Sequence, residues 1–144
     1  MNAYSLHYPL LQELENRNLK VDGPLSINFL EKQSLLIIKG WSLKPELRIC
    51  YSVILEEIQD HLAANEGITI NFEYKIFNAF TTRFLFQTIK TLNAAVAQGK
   101  HITINWITEK YNTEIYEMGM DLQGLCDFDF RINLASLTIS PSMN

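Results

Sequence analysis

The chain has 144 residues, 47% of them hydrophobic and 19% charged, with a net charge of −4. That balance suits one globular domain and excludes a disordered chain. Its 12 Lys and Arg are scattered, which excludes a basic footprint for nucleic acid, and no apolar run approaches the roughly 20 residues of a membrane-crossing helix.

The opening "MNAYSLHYPLLQELENRNLK" lacks the basic, then apolar, then small-residue order of a secretory signal. Cys50 and Cys126 stand alone, each in an apolar-patterned segment, so the expected setting is a reducing cytoplasm and two core thiols. Residues 9–16 read as a short helix, with Pro9 at its first position and Leu10, Leu11 and Leu14 as its apolar stripe. This helix belongs to an N-terminal extension, residues 1–20. It either packs on the domain or joins two copies as a homodimer.

The main domain is expected over residues 21–140, with 141–144 as a tail. "LSINFLEKQSLLIIKG" predicts a hairpin: Leu25, Ile27 and Phe29 alternate with polar residues, residues 31–34 turn, and the run 35–38 reads as a strand buried on both faces. The next segment predicts a helix that starts around Ser42 to Glu46 and carries an inner stripe of Leu47, Cys50, Tyr51, Ile54, Ile58 and Leu62. "ITINFEYKIF" alternates as a strand. A second helix follows, with Thr81 or Thr82 at its start and Leu85, Ile89, Leu92 and Val96 facing inward. "HITINWIT" is a strand with Trp106 in the core. A third helix begins at Asn112 or Thr113, with Ile115, Met118, Leu122 and Leu125 inward, and "FDFRINL" is the last strand.

A hairpin followed by α-β-α-β-α-β specifies an α/β domain with a mostly parallel, mixed sheet. In such a sheet the strand-to-helix loops 40–44, 77–82 and 108–113 emerge at one edge. Each loop feeds a helix N-terminus with unpaired N–H groups, which is where ligands and partners of open α/β sheets bind.

Little else in the sequence carries chemistry. His7, His61 and His101 have no metal-ligand spacing, no phosphate-binding glycine loop occurs, and Cys50 faces inward, so neither a metal nor a cofactor nor an enzyme is expected. Glu114, Glu117 and Asp121 share one helix face, either as a solvated acidic surface or as a dock for a basic partner. Trp41 is either a lid on the core or an interface contact.

From about Leu35 to Phe130 the chain resembles the SiaC-type regulatory phosphoproteins of bacteria, whose fold is like the STAS domain of anti-sigma-factor antagonists. "KGWSLKPELRICY" is similar to the family's Gly-x-Ser-x-Pro-Glu segment, through Gly40, Ser42, Pro45 and Glu46 with a gap one residue longer. "FNAFTTRFL" stands where the family has Asn-Thr-Ser-Ser and then a basic residue. Trp106, Glu117, Gly119, Phe128 and Phe130 match the family's later strand and helix. The resemblance implies a STAS-like single domain without catalytic residues that works as a partner switch. A cognate serine/threonine kinase phosphorylates the motif Thr, a PP2C-type phosphatase removes the phosphate, and the unphosphorylated form binds and activates a diguanylate cyclase.

The motif departs at the critical residue. Asn78 and Arg83 match, but the phosphoacceptor falls on Ala79 and the next position on Phe80. Either the acceptor has moved to Thr81 or Thr82, or the switch is fixed in its partner-binding state and Phe80, at the loop tip, is an apolar contact. The expected partner surface comprises Trp41, Ser42, Glu46, Phe77, Asn78, Ala79, Phe80, Arg83 and Glu117. The competing expectation is a domain that holds a small anion at the same edge, through Asn78, Thr81 and Thr113.

Overall fold

A computed structural model describes residues 25–42 and 47–135. The elements run β1 (Leu25–Leu30), a single 3-10 turn (Glu31–Gln33), β2 (Leu35–Ser42), α1 (Leu47–Ala64), β3 (Gly67–Phe77), α2 (Ala79–Ala97), β4 (His101–Thr108), α3 (Thr113–Gln123) and β5 (Asp129–Leu134). The sheet order is β1-β2-β3-β4-β5, with β1 antiparallel to β2 and every other pair parallel. The expected α/β, mixed-sheet architecture is therefore present. The expected helix at residues 9–16, the tail, and Glu46 fall outside the described residues, as do the side chains of Trp41, Ser42 and Leu47.

Parallel strands that are adjacent in both sequence and space need right-handed crossovers, which place every helix on the same face. The burial pattern follows from this. Leu36 and Ile38 of β2, Ile68, Ile70, Phe72 and Tyr74 of β3, and Ile102, Ile104 and Trp106 of β4 point under the helices and are buried. Their neighbours along each strand are half-buried or exposed. This corrects the reading of 35–38 as buried on both faces. Leu35 and Ile37 lie only half-buried on the outer face, where the polar Asn71 and Asn105 of β3 and β4 pair side by side, the Asn105 amide donating to Asn71 Oδ1 at 2.8 Å.

α1 and α2 lie against each other, and α3 covers β4 and β5. Of the expected inner stripes, Cys50, Tyr51, Ile54, Ile58 and Leu62 of α1 and Leu85, Ile89 and Leu92 of α2 are buried, and Val96 is partly so. On α3, Ile115 and Leu122 are buried, but the helix ends at Gln123 and Leu125 lies beyond it, 49% exposed, not in the stripe. Cys50 is buried, whereas Cys126 is only half-buried and donates its thiol proton to the Leu122 carbonyl at 3.2 Å. Burial pushes the Cys126 thiol up to about 12.

The core centres on an aromatic group. Phe72, Tyr74, Phe77, Phe84, Trp106 and Phe130 touch in a chain with ring centroids 5.3–6.4 Å apart. Each such contact contributes about 0.5–1.5 kcal/mol beyond the area it buries. Trp106 is fully buried and donates its indole N–H to the Ile115 carbonyl at 2.9 Å, which ties β4 to the first turn of α3. Gly119 makes that approach possible: a methyl group there would lie 2.6 Å from the Trp106 Nε1. Among the described residues, no helix is long and apolar enough to cross a membrane.

Candidate functional site

The parallel strands end at one edge, and here the sheet opens. β3 stays paired with β2 as far as Phe77, but its pairing with β4 stops at Phe72 and Trp106. Gly40 takes φ 118°, a conformation that only glycine adopts without strain, and a bulge follows between Gly40 and Trp41. β2 thus runs on as a strand to Ser42, two residues past the expected start of its loop. The gap between β3 and β4 is closed by side chains. Asn112 Nδ2 donates to the Lys75 carbonyl at 3.1 Å, and Lys75 pairs with Glu109 at 3.3 Å.

The turn at the head of α2 is built by Asn78. It takes an extended conformation, and its Oδ1 accepts from the backbone N–H of Phe80 at 3.1 Å and of Thr81 at 3.2 Å. A side-chain oxygen in this position satisfies donors that the helix leaves unpaired. This corrects the expectation that Thr81 or Thr82 starts the helix. The start is Ala79, so both threonines lie inside the first turns. Thr81 is fully buried, and its hydroxyl donates to Tyr51 at 3.0 Å. The Tyr51 hydroxyl lies 3.1 Å from that of Tyr74. Burial first, and then Tyr51 beside it, raises the Tyr74 phenol well above its usual range, so it stays neutral. Thr82 is half-buried, with its hydroxyl directed at the Asn78 carbonyl at 3.4 Å.

The other expected contact residues divide by exposure. Ala79 and Arg83 are exposed, and Arg83 makes no ion pair among the described residues. Phe77 is half-buried, edge-on against Tyr74 at 5.3 Å. Phe80, expected at an exposed loop tip, is also half-buried, because it belongs to the first helical turn and not to the loop. Glu117 is exposed in the second turn of α3, with Glu114 and Asp121 also exposed on that helix.

Two residues that the sequence reading passed over belong to the same edge. Ile76, at the end of β3, is 38% exposed, and Tyr111, in the loop before α3, is 80% exposed. Tyr111 is hydrogen-bonded to Glu109, which raises its phenol pKa. The signal for Ile76 was its place next to the turn. For Tyr111 it was an aromatic within "EKYN", a segment otherwise composed of turn residues.

The geometry does not support an anion site from Asn78, Thr81 and Thr113. Asn78 Oδ1 caps backbone donors, the Thr81 hydroxyl points at Tyr51, and Thr113 is exposed, so the three do not converge. The cleft between β3 and β4, lined by Glu73, Lys75, Glu109 and Asn112 among others, has no room for a water-sized ligand.

At the opposite edge, Ser34 Oγ lies 2.9 Å from His61 Nε2, and His61 Nδ1 lies 3.3 Å from Asn65 Nδ2. The Asn65 amide also donates to the His61 carbonyl, so Nδ1 is the ring's acceptor and Nε2 carries the proton. In that tautomer the ring donates to Ser34, and the group clasps the β1–β2 turn to the end of α1. No cluster of three or more metal-ligating side chains occurs among the described residues.

The family model for SiaC family regulatory phosphoproteins matches residues 22–135. The chain belongs to this family. Solved structures agree in fold. A chain of the crystal structure of diguanylate cyclase SiaD in complex with its activator SiaC from Pseudomonas aeruginosa superposes with a TM-score of 0.72 at 15% identity, over 76% of this chain and 91% of that one. Apo-SiaC from the same organism gives 0.69 at 15% identity, over 76% and 89%. Another structure of P. aeruginosa SiaC gives 0.70 at 14% identity, again over 76% and 89%. No curated protein matches the sequence significantly. At such low identity the shared property is the backbone. The side chains around Asn78 are this chain's own.

Proposed function

We propose that this SiaC-family protein is a non-enzymatic, cytoplasmic signalling regulator that binds a protein partner through the edge formed by Phe77, Asn78, Ala79, Phe80 and Arg83, extended by Ile76 and Tyr111. SiaC of P. aeruginosa is the activator of the diguanylate cyclase SiaD, and a diguanylate cyclase is the partner proposed here. The observation that carries the reading is the chemistry of position 79. It is the exposed residue at the head of α2, where the family's acceptor threonine would stand, and it is alanine. An alanine cannot take phosphate, so the turn stays in its partner-binding form. Trp41, Ser42, Glu46 and Glu117 complete the proposed surface.

The test is phosphorylation in vitro. The protein is incubated with ATP and the kinase encoded nearest to it, and phosphate is mapped by mass spectrometry. No phosphate is expected on residues 78–83. Ala79→Thr is expected to become a substrate, and a PP2C-type phosphatase from the same neighbourhood to reverse it. A second reading has one observation in its favour: Thr82, unlike Thr81, is only half-buried. Stoichiometric phosphate on Thr82 would replace the fixed state with a displaced switch.

A further inference from the structure

We infer that Thr81 is the positioning residue of the partner-binding turn: its buried hydroxyl, acting through Tyr51 and Tyr74, holds the first turn of α2 in the shape a partner reads. The inference rests on the partner-binding reading of that turn. Three elements meet at these hydroxyls, Thr81 from α2, Tyr51 from α1 and Tyr74 from β3. The proton order is consistent along the chain. Thr81 donates to Tyr51, and a single proton between the Tyr51 and Tyr74 oxygens, from either one, completes the link. Tyr51 holds α2 a second time, since its ring stacks on Phe84, one turn further along, with centroids 4.3 Å apart. Thr81 Oγ1 also lies 3.5 Å from Asn78 Oδ1, so the residue that anchors the turn lies beside the residue that caps it.

Swinging the first turn outward would expose Thr81 and part it from Tyr51 in one movement. A hydroxyl bond in a dry interior is more demanding than one at the surface, because the alternative is an unsatisfied polar group. The threonines of "FNAFTTR" therefore differ in kind. Thr81 is enclosed and sets the position of the turn, whereas Thr82 lies nearer the surface. The aromatic contacts of Tyr74 with Phe77 and Trp106 extend the anchor beneath the whole edge.

The test uses the full chain and three variants. Thr81→Val keeps the side-chain shape and removes the hydroxyl, Thr81→Ser restores it, and Tyr51→Phe keeps the stack on Phe84 and removes the middle hydroxyl. Amide hydrogen exchange is followed by NMR at residues 80–82 against Leu92 in the middle of α2. In Thr81→Val, protection at 80–82 is expected to fall about tenfold relative to Leu92, with a similar loss of affinity for the nearest-encoded diguanylate cyclase, while Thr81→Ser stays near the unsubstituted protein. Tyr51→Phe reads the same exchange should Thr81→Val fail to fold. Unchanged protection in the hydroxyl-deleted variants overturns the inference, as does full cyclase affinity in a variant whose turn has loosened. If the unsubstituted protein does not bind the cyclase while exchange behaves as expected, the partner reading is what fails.

Discussion

At the edge where the parallel strands end, the starts of α2 and α3 are capped by two asparagines, Asn78 and Asn112, and held down by the Thr81, Tyr51 and Tyr74 hydroxyls and the Trp106 indole. At the opposite edge, the β1–β2 turn is held to the end of α1 by His61, which bridges Ser34 and Asn65. The first edge is held by uncharged side chains, and burial keeps the Tyr74 phenol among them neutral. The second edge depends on an imidazole that must stay neutral. The surface proposed for a partner thus rests on uncharged side chains, and the pH-sensitive joint is at the opposite ends of the strands.

The largest expected effect comes from prying α3 off Trp106. Gly119→Ala gains up to about 1 kcal/mol of helix propensity, but forces a methyl group into the indole. Overpacking of this kind typically costs about 1–3 kcal/mol, so a net loss is expected in urea unfolding, and a gain would show that α3 moves freely over the strand. Asn78→Ala is next. Loss of the cap is expected to destabilise the protein by about 1 kcal/mol. Asn112→Ala is expected to lose less through its cap bond, because the Asn112 bond to the Ile115 N–H is longer, at 3.4 Å. Equal losses would remove the distinction between the two starts.

His61 provides the pH test. Burial lowers its pKa below 6.5, partly offset by the Glu31 carboxylate and by a backbone bond to Gly67. The unfolded chain therefore takes up a proton at a pH where the folded chain does not. His61's contribution to stability is complete above about 6.5 and declines as the pH falls below that value. Unfolding midpoints at pH 7.5 and 5.5 should differ more in the wild type than in His61→Gln, and equal differences would reject the clasp as the sensitive joint. The smallest effect on stability is expected for Tyr111→Ala, whose urea unfolding midpoint should match that of the parent. Its affinity for the cyclase should still fall about tenfold, because exposed tyrosines often dominate interfaces. Unchanged affinity would confine the partner surface to the α2 turn.

Periodicity made the strands and helices readable, because a side chain's direction follows from its spacing along the chain. Trp106 was legible as core for that reason. The misreadings occurred where direction depends on something other than spacing. The run 35–38 was apolar throughout, yet with all the helices on one face only Leu36 and Ile38 lie beneath them. Leu125 kept the helical spacing after the helix had stopped at Gln123. At the α2 turn the cap could have been any of three polar residues. Selecting Asn78 makes Thr81 the third helical residue and directs its hydroxyl inward, a fact that depends on Tyr51, 30 residues earlier. That the three strand-to-helix loops share one edge was legible from topology, but the anchoring of the α2 turn was not, since the three hydroxyls meet only in the folded chain.

The antiparallel hairpin has a consequence for anything attached to this domain. Because β1 runs against the other strands, Leu25 pairs with Gly40, and Ala135 bonds to the Thr108 carbonyl, so the described domain both begins and ends at the edge that carries the Asn78 turn. A module joined there by a short flexible linker would meet the turn as an intramolecular competitor, at an effective concentration on the order of millimolar. A weak ligand for the turn, fused at either end, would therefore outcompete a much tighter one supplied free in solution.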